Sequence, residues 1–290
     1  MRPVGLIAYL VIAFGVAWGI ELGPVRRIGY ATGRPAVLAL LVIVMFTPAL
    51  AAVVARLVEK RGFEDAGLRV GVAKYHLAAW LLPFGVAVVA VGLTVALGFG
   101  RLDLSMASAL ERIPAAQKQA AAAWLARYGA WVPVLTVVGT LTQGVVITSI
   151  ATFGEEFGWR GYLLPRLLHL GPVRSMALVG VIWGIWHAPI IVQGHNYPGH
   201  PAVGVVLMIA FTTAWSVILG WLFLASRSVL APTIGHASIN SPAASLAAFI
   251  AGANPLLAGM IGLPGVAVAG LVALWLWLSG RLKVPAADPL

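Results

Sequence analysis

The chain contains no cysteine, so neither disulfides nor thiol chemistry take part in its fold or function. Charge is scarce: Asp, Glu, Lys and Arg make up 10% of the 290 residues, against about 25% in a typical soluble domain. Acidic residues are scarcest, nine against nineteen Lys and Arg. Apolar residues take the vacant share, 61% of the chain, with a mean hydropathy of +0.96. These proportions exclude an ordinary soluble protein and fit an all-α, polytopic bundle of transmembrane helices. The net charge of +10 does not imply nucleic acid, because Lys and Arg in such a chain collect in loops and orient it against an anionic leaflet. The sequence has no H-E-x-x-H and no G-x-S-x-G, and no Asp falls within an apolar segment. The usual zincin helix, the nucleophile elbow and an intramembrane aspartic protease are thereby set aside.

Eight apolar segments lie near 4–22, 36–57, 76–99, 132–157, 174–193, 202–225, 229–250 and 258–280. The first is longer than the apolar region of a signal peptide and has no small-residue cleavage site after it, so it reads as a retained span. Residues 1–130 are expected to form N-terminal helices with surface loops, 131–250 a functional core, and 251–290 a last helix and tail. "LVEKRGFEDAGLRVGVAKYH" reads as a polar connector on the membrane surface. The Ala-rich stretch with Trp124 and Arg127 reads as an interfacial helix. Lys and Arg number twelve in the termini and the second, fourth and sixth loops, against seven in the others. Both termini of this multi-pass protein of the plasma membrane are therefore expected in the cytoplasm. "GEEFGWRGYLLPRL" then falls at the cytoplasmic end of the fourth span, and "GHNYPGHPAV" lies outside. Gly154/Gly158 and Gly180/Gly184 have small-xxx-small spacing and flank polar residues, so their two helices are expected to approach one another. Pro48, Pro83 and Pro189 are expected to kink their spans.

Seven of the nine acidic residues fall in loops, at a span end (Glu21) or in the tail. Glu155 and Glu156 fall where hydrocarbon or a protein cavity surrounds them, at about 2.5–3.5 kcal/mol per charge on insertion scales. Glu156 and Arg160, four residues apart, share a helical face and are expected to pair. Glu155 points about 100° away with no local cation, as a buried general base does. The next span carries His187, one turn after Trp183. The seventh carries His236 and Asn240, which share a face. These polar residues are expected to converge on one pocket, opening toward the side of both termini. His195 and His200 read as solvated loop residues.

Three elements in order, Glu155-Glu156-x-x-x-Arg160, Trp183-x-x-x-His187 and His236-x-x-x-Asn240, resemble the motifs EExxxR, FxxxH and HxxxN of the CAAX prenyl endopeptidase and bacteriocin-processing (abortive-infection) family. The resemblance covers about residues 130–250, and Trp183 replaces the family's Phe. It implies an intramembrane protease with a conical cavity open to the cytoplasm, acting on a membrane-associated peptide or protein in the lipid bilayer. Eukaryotic members remove a tripeptide after a prenylated Cys. It also implies that Glu155 and His187 hold and deprotonate a water while His236 and Asn240 stabilise the oxyanion. Two Glu and two His are also ligands that zinc takes, so water activated by the protein alone and water activated on zinc both stand. Two other classes remain: a binding or immunity protein against a bacterial toxin, and a proton-coupled transporter relaying through Glu155 and His187.

Overall fold

Apolar runs become helices because hydrocarbon offers no partner to a free backbone N–H or C=O. The computed structural model describes residues 3–113 and 115–283; Arg2 and Asp288, placed from sequence in the terminal segments, lie outside them. Its helices are α1 (Pro3–Ile20), α2 (Arg26–Ile28), α3 (Pro35–Met45), α4 (Thr47–Glu59), α5 (Ala73–Ala96), α6 (Ala107–Arg112), α7 (Ala115–Tyr128) and α8 (Val132–Gly139). They continue as α9 (Val145–Gly158), α10 (Leu164–Leu167), α11 (Pro172–Trp186), α12 (Ala188–Val192), α13 (Pro201–Ser226), α14 (Leu230–Ser238) and α15 (Leu263–Leu278). Two short strands, β1 (Arg101–Leu102) and β2 (Ile250–Ala251), pair antiparallel.

Among the described residues, five helical runs are long and apolar enough to cross a membrane: Val4–Ile28, Pro35–Glu59, Ala73–Ala96, Gln117–Leu170 and Pro201–Ser226. The chain is an all-α polytopic bundle, with the shorter apolar helices α11 and α15 packed among the long ones. The fourth span does not end at 157 as the sequence suggested. α9 runs through a π turn, Trp159–Leu163, into α10, so Glu155 and Glu156 lie inside a helix that reaches Leu170. The seventh segment is α14 followed by a π turn at Ile239–Ala243 rather than one continuous span.

Two of the three prolines expected to kink spans lie at helix starts instead. Pro48 opens α4 after the break at Phe46, and Pro189 opens α12 directly after His187. Proline has no N–H and clashes with the carbonyl four residues earlier. Pro83 instead sits within an uninterrupted α5.

The glycine pairs do bring backbones together, but not those of their own two helices. A Cβ on Gly154 would lie 2.7 Å from the Met45 carbonyl oxygen, and one on Gly158 would lie 2.6 Å from the Pro48 carbonyl carbon. α9 is therefore seated on the α3–α4 corner. Gly180 and Gly184 do the same for α11 against α13, where a Cβ would meet the Cα of Thr213 at 2.5 Å and that of Ile209 at 2.6 Å.

The connector after α4 is pinned by charge. Arg56 bonds Asp65 and the carbonyl of Gly161, while Arg166 bonds Asp65 at 2.8 Å and Glu59 at 2.6 Å. Tyr162 donates to Glu59 at 2.8 Å. This cluster fixes one end of the bundle, where α1 also begins, since a Cβ on Gly5 would run into the Glu59 side chain. The same end holds the close of α13 and the start of α5, through Val72 N–H to the Ser226 carbonyl at 3.1 Å.

Candidate active site

Glu155 and Glu156 are both buried, at 2% and 0% exposure. Glu156 Oε1 accepts from Arg160 at 2.7 Å, and the same oxygen faces His236 Nδ1 at 2.9 Å. The ion pair expected from the four-residue spacing is present, and it extends to a second helix, α14. Glu155 turns away from it, and its Oε2 accepts from the indole Nε1–H of Trp183 at 2.8 Å. The family's Phe has no such donor, so replacement by Trp gives this chain a hydrogen bond to the carboxylate. Trp183 further touches the site on three sides: the Arg160 guanidinium lies 4.9 Å from its ring centre, His236 5.0 Å and His187 5.8 Å.

His187 caps the end of α11, where Pro189 forces the break. Its Nδ1 lies 2.9 Å from the carbonyl oxygen of Trp183. A carbonyl only accepts, so Nδ1 carries the proton and Nε2 presents a lone pair. His236 Nδ1 likewise donates to the Glu156 carboxylate, leaving its Nε2 as the free atom. Its second nitrogen becomes a donor only when the ring is the imidazolium.

Glu155, Trp183, His187, His236 and Asn240 line one cavity of about 340 Å³. The four polar residues expected to converge from three spans therefore do converge, although most satisfy themselves through Trp183 and Glu156 rather than through one another. Asn240 lies in the π turn after α14, is exposed, and lines the cavity without bonding His236. The site sits near mid-depth: Thr212, which also lines it, lies about 21 Å along α13 from Ser226 at 1.5 Å per residue.

The cavity does not extend toward the end that bears the termini. From Glu155 its wall runs to Glu21, His195, Asn196 and Ile261. Glu21 follows α1, which starts at the opposite end beside Glu59. Ile261 precedes α15, whose approach is bonded at Gly259 to Thr94 near the far end of α5. α15 then returns along α5 toward the end where the chain began. The start of α1 and the end of α15 thus lie away from the cavity's outer residues, which corrects the expectation of a pocket opening toward the side of both termini. Both terminal helices reach the cavity with their inner ends.

Two wall residues were missed from sequence. Glu21, read as a span end, is 1% exposed because a π turn, Glu21–Val25, carries the helical run on to Ile28. His195, read as a solvated loop residue, lies in the cavity wall with Nδ1 2.6 Å from the Tyr30 hydroxyl. Among the described residues no three His, Cys, Asp or Glu side chains stand close enough together to hold a metal ion. The donors as arranged do not form a zinc site.

Residues 137–242 match the family model described as Rce1-like, type II CAAX prenyl endopeptidase Rce1-like. Over those residues the chain is similar to that family. The matched segment begins in α8 and closes in the π turn that holds Asn240, so it contains all three motifs and none of the first three spans. No curated protein matches the chain. The likeness is to a CAAX-type peptidase family, and the long apolar helices make this chain an integral membrane protein.

Proposed function

We propose that the chain is an intramembrane endopeptidase that cleaves a membrane-associated peptide by direct attack of water. The observation that carries this reading is the separation of the two adjacent carboxylates. Glu156 is committed to Arg160 and His236, whereas Glu155 faces the cavity with no cation against it. A binding scaffold has no use for a buried carboxylate kept free in this way. A transporter relay is disfavoured by the absence of an inverted repeat in the sequence.

Trp183 holds one oxygen of Glu155, leaving the other to take a proton from water in the cavity. The lone pair of His187 Nε2 accepts that water's second hydrogen and orients it. Attack on the scissile carbonyl places negative charge on its oxygen. Asn240, through its amide N–H, and His236, through an Nε2 proton, donate to that oxygen. Arg160 anchors the Glu156 oxygen that braces His236 from its other ring nitrogen. Collapse of the tetrahedral species returns the proton from Glu155 to the leaving amine.

The test is cleavage of a fluorogenic membrane-associated peptide by the purified protein. Glu155→Gln should abolish turnover while leaving the unfolding transition in place. An unaltered rate in that variant removes the reading. The Lys and Arg distribution supports cytoplasmic termini in a plasma-membrane protein, an orientation in which the cavity faces outward. Because the chain has no native cysteine, single cysteines at Lys283 and Asn196 report each side by labelling with a membrane-impermeant reagent.

A further inference from the structure

Glu21 is a carboxylate that the cleavage mechanism does not use. It lies in the π turn after α1, outside the Rce1-like segment, and shares the cavity with Glu155. It is 1% exposed, and its buried Oε2 has no hydrogen-bond partner. Its surroundings hold it in place through the backbone, with Gln193 Nε2 donating to the Glu21 carbonyl at 3.1 Å, and leave the side chain to the cavity.

The rest of the lining sets the sign of what fits there. The cavity wall contains two carboxylates, Glu21 and Glu155, and no Lys or Arg. The nearest guanidinium, Arg160, is fully buried in its own pair with Glu156. A buried, unpartnered carboxylate is retained only at a cost of several kcal/mol per ion unless something pairs with it. A ligand that brings a cation removes that cost, and one that brings a second carboxylate raises it.

We propose that Glu21 is a substrate-reading residue: it pairs with a basic side chain or amino group of the peptide, close to the bond that Glu155 hydrolyses. This rests on the peptidase reading above. It also separates this chain from the tripeptide-releasing reaction. A substrate cut three residues from its C-terminus brings a carboxylate close to the site, where no Lys or Arg side chain of the wall meets it. The favoured substrate is therefore a membrane-associated segment cut at an internal bond beside a Lys or Arg.

The experiment uses two membrane-associated peptides that differ only in Lys or norleucine next to the scissile bond. Binding to the Glu155→Gln protein, in which Glu21 is the cavity's remaining carboxylate, is measured by fluorescence anisotropy and compared with the Glu21→Gln/Glu155→Gln protein. The Lys peptide should bind the first roughly ten- to hundredfold more tightly than the norleucine peptide, the range of one charge-assisted hydrogen bond. That preference should fall to within about threefold in the second. Cleavage by the otherwise wild-type protein should show the same preference, and Glu21→Gln should erase it. Equal binding of the two peptides to Glu155→Gln, or a preference that survives Glu21→Gln, overturns the proposal. Preferential binding of the Lys peptide with no cleavage of either peptide supports the subsite and overturns the peptidase reading instead.

Discussion

The Glu156–Arg160 pair allows a quantitative test, because both side chains are at 0% exposure and meet at 2.7 Å. Removing one partner of such a pair leaves an uncompensated buried charge, at about 3–5 kcal/mol, whereas replacing both by neutral groups of similar volume is often nearly neutral. Glu156→Gln should therefore destabilise the protein by about 3–5 kcal/mol, since it strands Arg160 and also withdraws the charge facing His236 Nδ1 at 2.9 Å. Arg160→Met should cost somewhat less, because His236 still faces Glu156. The double variant should be no worse than either single one, giving a coupling energy of at least about 3 kcal/mol. Unfolding by SDS titration in mixed micelles, followed by the fluorescence of the buried Trp159, Trp183, Trp186 and Trp215, measures all three. Single variants within about 1 kcal/mol of wild type, or a double variant whose cost equals the sum, would falsify the claim that this pair holds α9 to α14 through Glu156. Glu155→Gln supplies the contrast: an amide oxygen still accepts from Trp183, no cation is stranded, and stability should change by less than about 1 kcal/mol.

Asn240→Ala should lower turnover by roughly 10²–10³, the usual loss of one oxyanion donor, with little change in KM; equal losses in binding and turnover would remove Asn240 from that role. Trp183→Phe restores the family's residue but deletes the donor to Glu155, and should reduce kcat by about tenfold or more. A Phe variant as fast as wild type would show that the indole hydrogen bond does not position the carboxylate. Gly158→Ala should destabilise by about 1–3 kcal/mol through overpacking against the Pro48 backbone, read in the same SDS titration. Chelation followed by assay tests the water-only mechanism: activity that vanishes and returns with zinc would overturn it and place His236 among the ligands.

Local spacing made much of this site legible. The four-residue offsets in Glu156–Arg160 and His236–Asn240 put each pair on a shared face, and the structure places them so, apart from the turn that exposes Asn240. Depth in the bundle was not legible. A hydropathy window ends the first span near Leu22 and the fourth near Phe157, because Glu and Arg lower the average. In the folded chain Glu21, Glu155, Glu156, Arg160 and Arg166 are buried, and the helices run on to Ile28 and Leu170. Glu21 reads as a span end for this reason, although Pro24 three residues later marks an irregular turn. Contacts across the sequence were also invisible. Nothing local predicts that His236 bonds Glu156, eighty residues earlier, or that Trp183 bonds Glu155. His195 reached the cavity because Pro189 breaks the fifth span, and no periodicity records where the chain goes after such a break.

Four π turns occur among the described residues, at Glu21–Val25, Thr140–Gly144, Trp159–Leu163 and Ile239–Ala243. Each inserts one residue beyond the α-helical repeat and so shifts the phase of everything after it by roughly 100°. The turn at Trp159–Leu163 makes one helix answer to two polar environments with different azimuths. Upstream, Glu155 addresses the cavity; downstream, Tyr162 and Arg166 address Glu59 and Asp65 on the α4 connector. With a regular repeat the two sets would be locked to one angular relation, and aligning one would misalign the other. The extra residue uncouples them, so the anchoring end and the chemical end of the helix can vary in sequence independently.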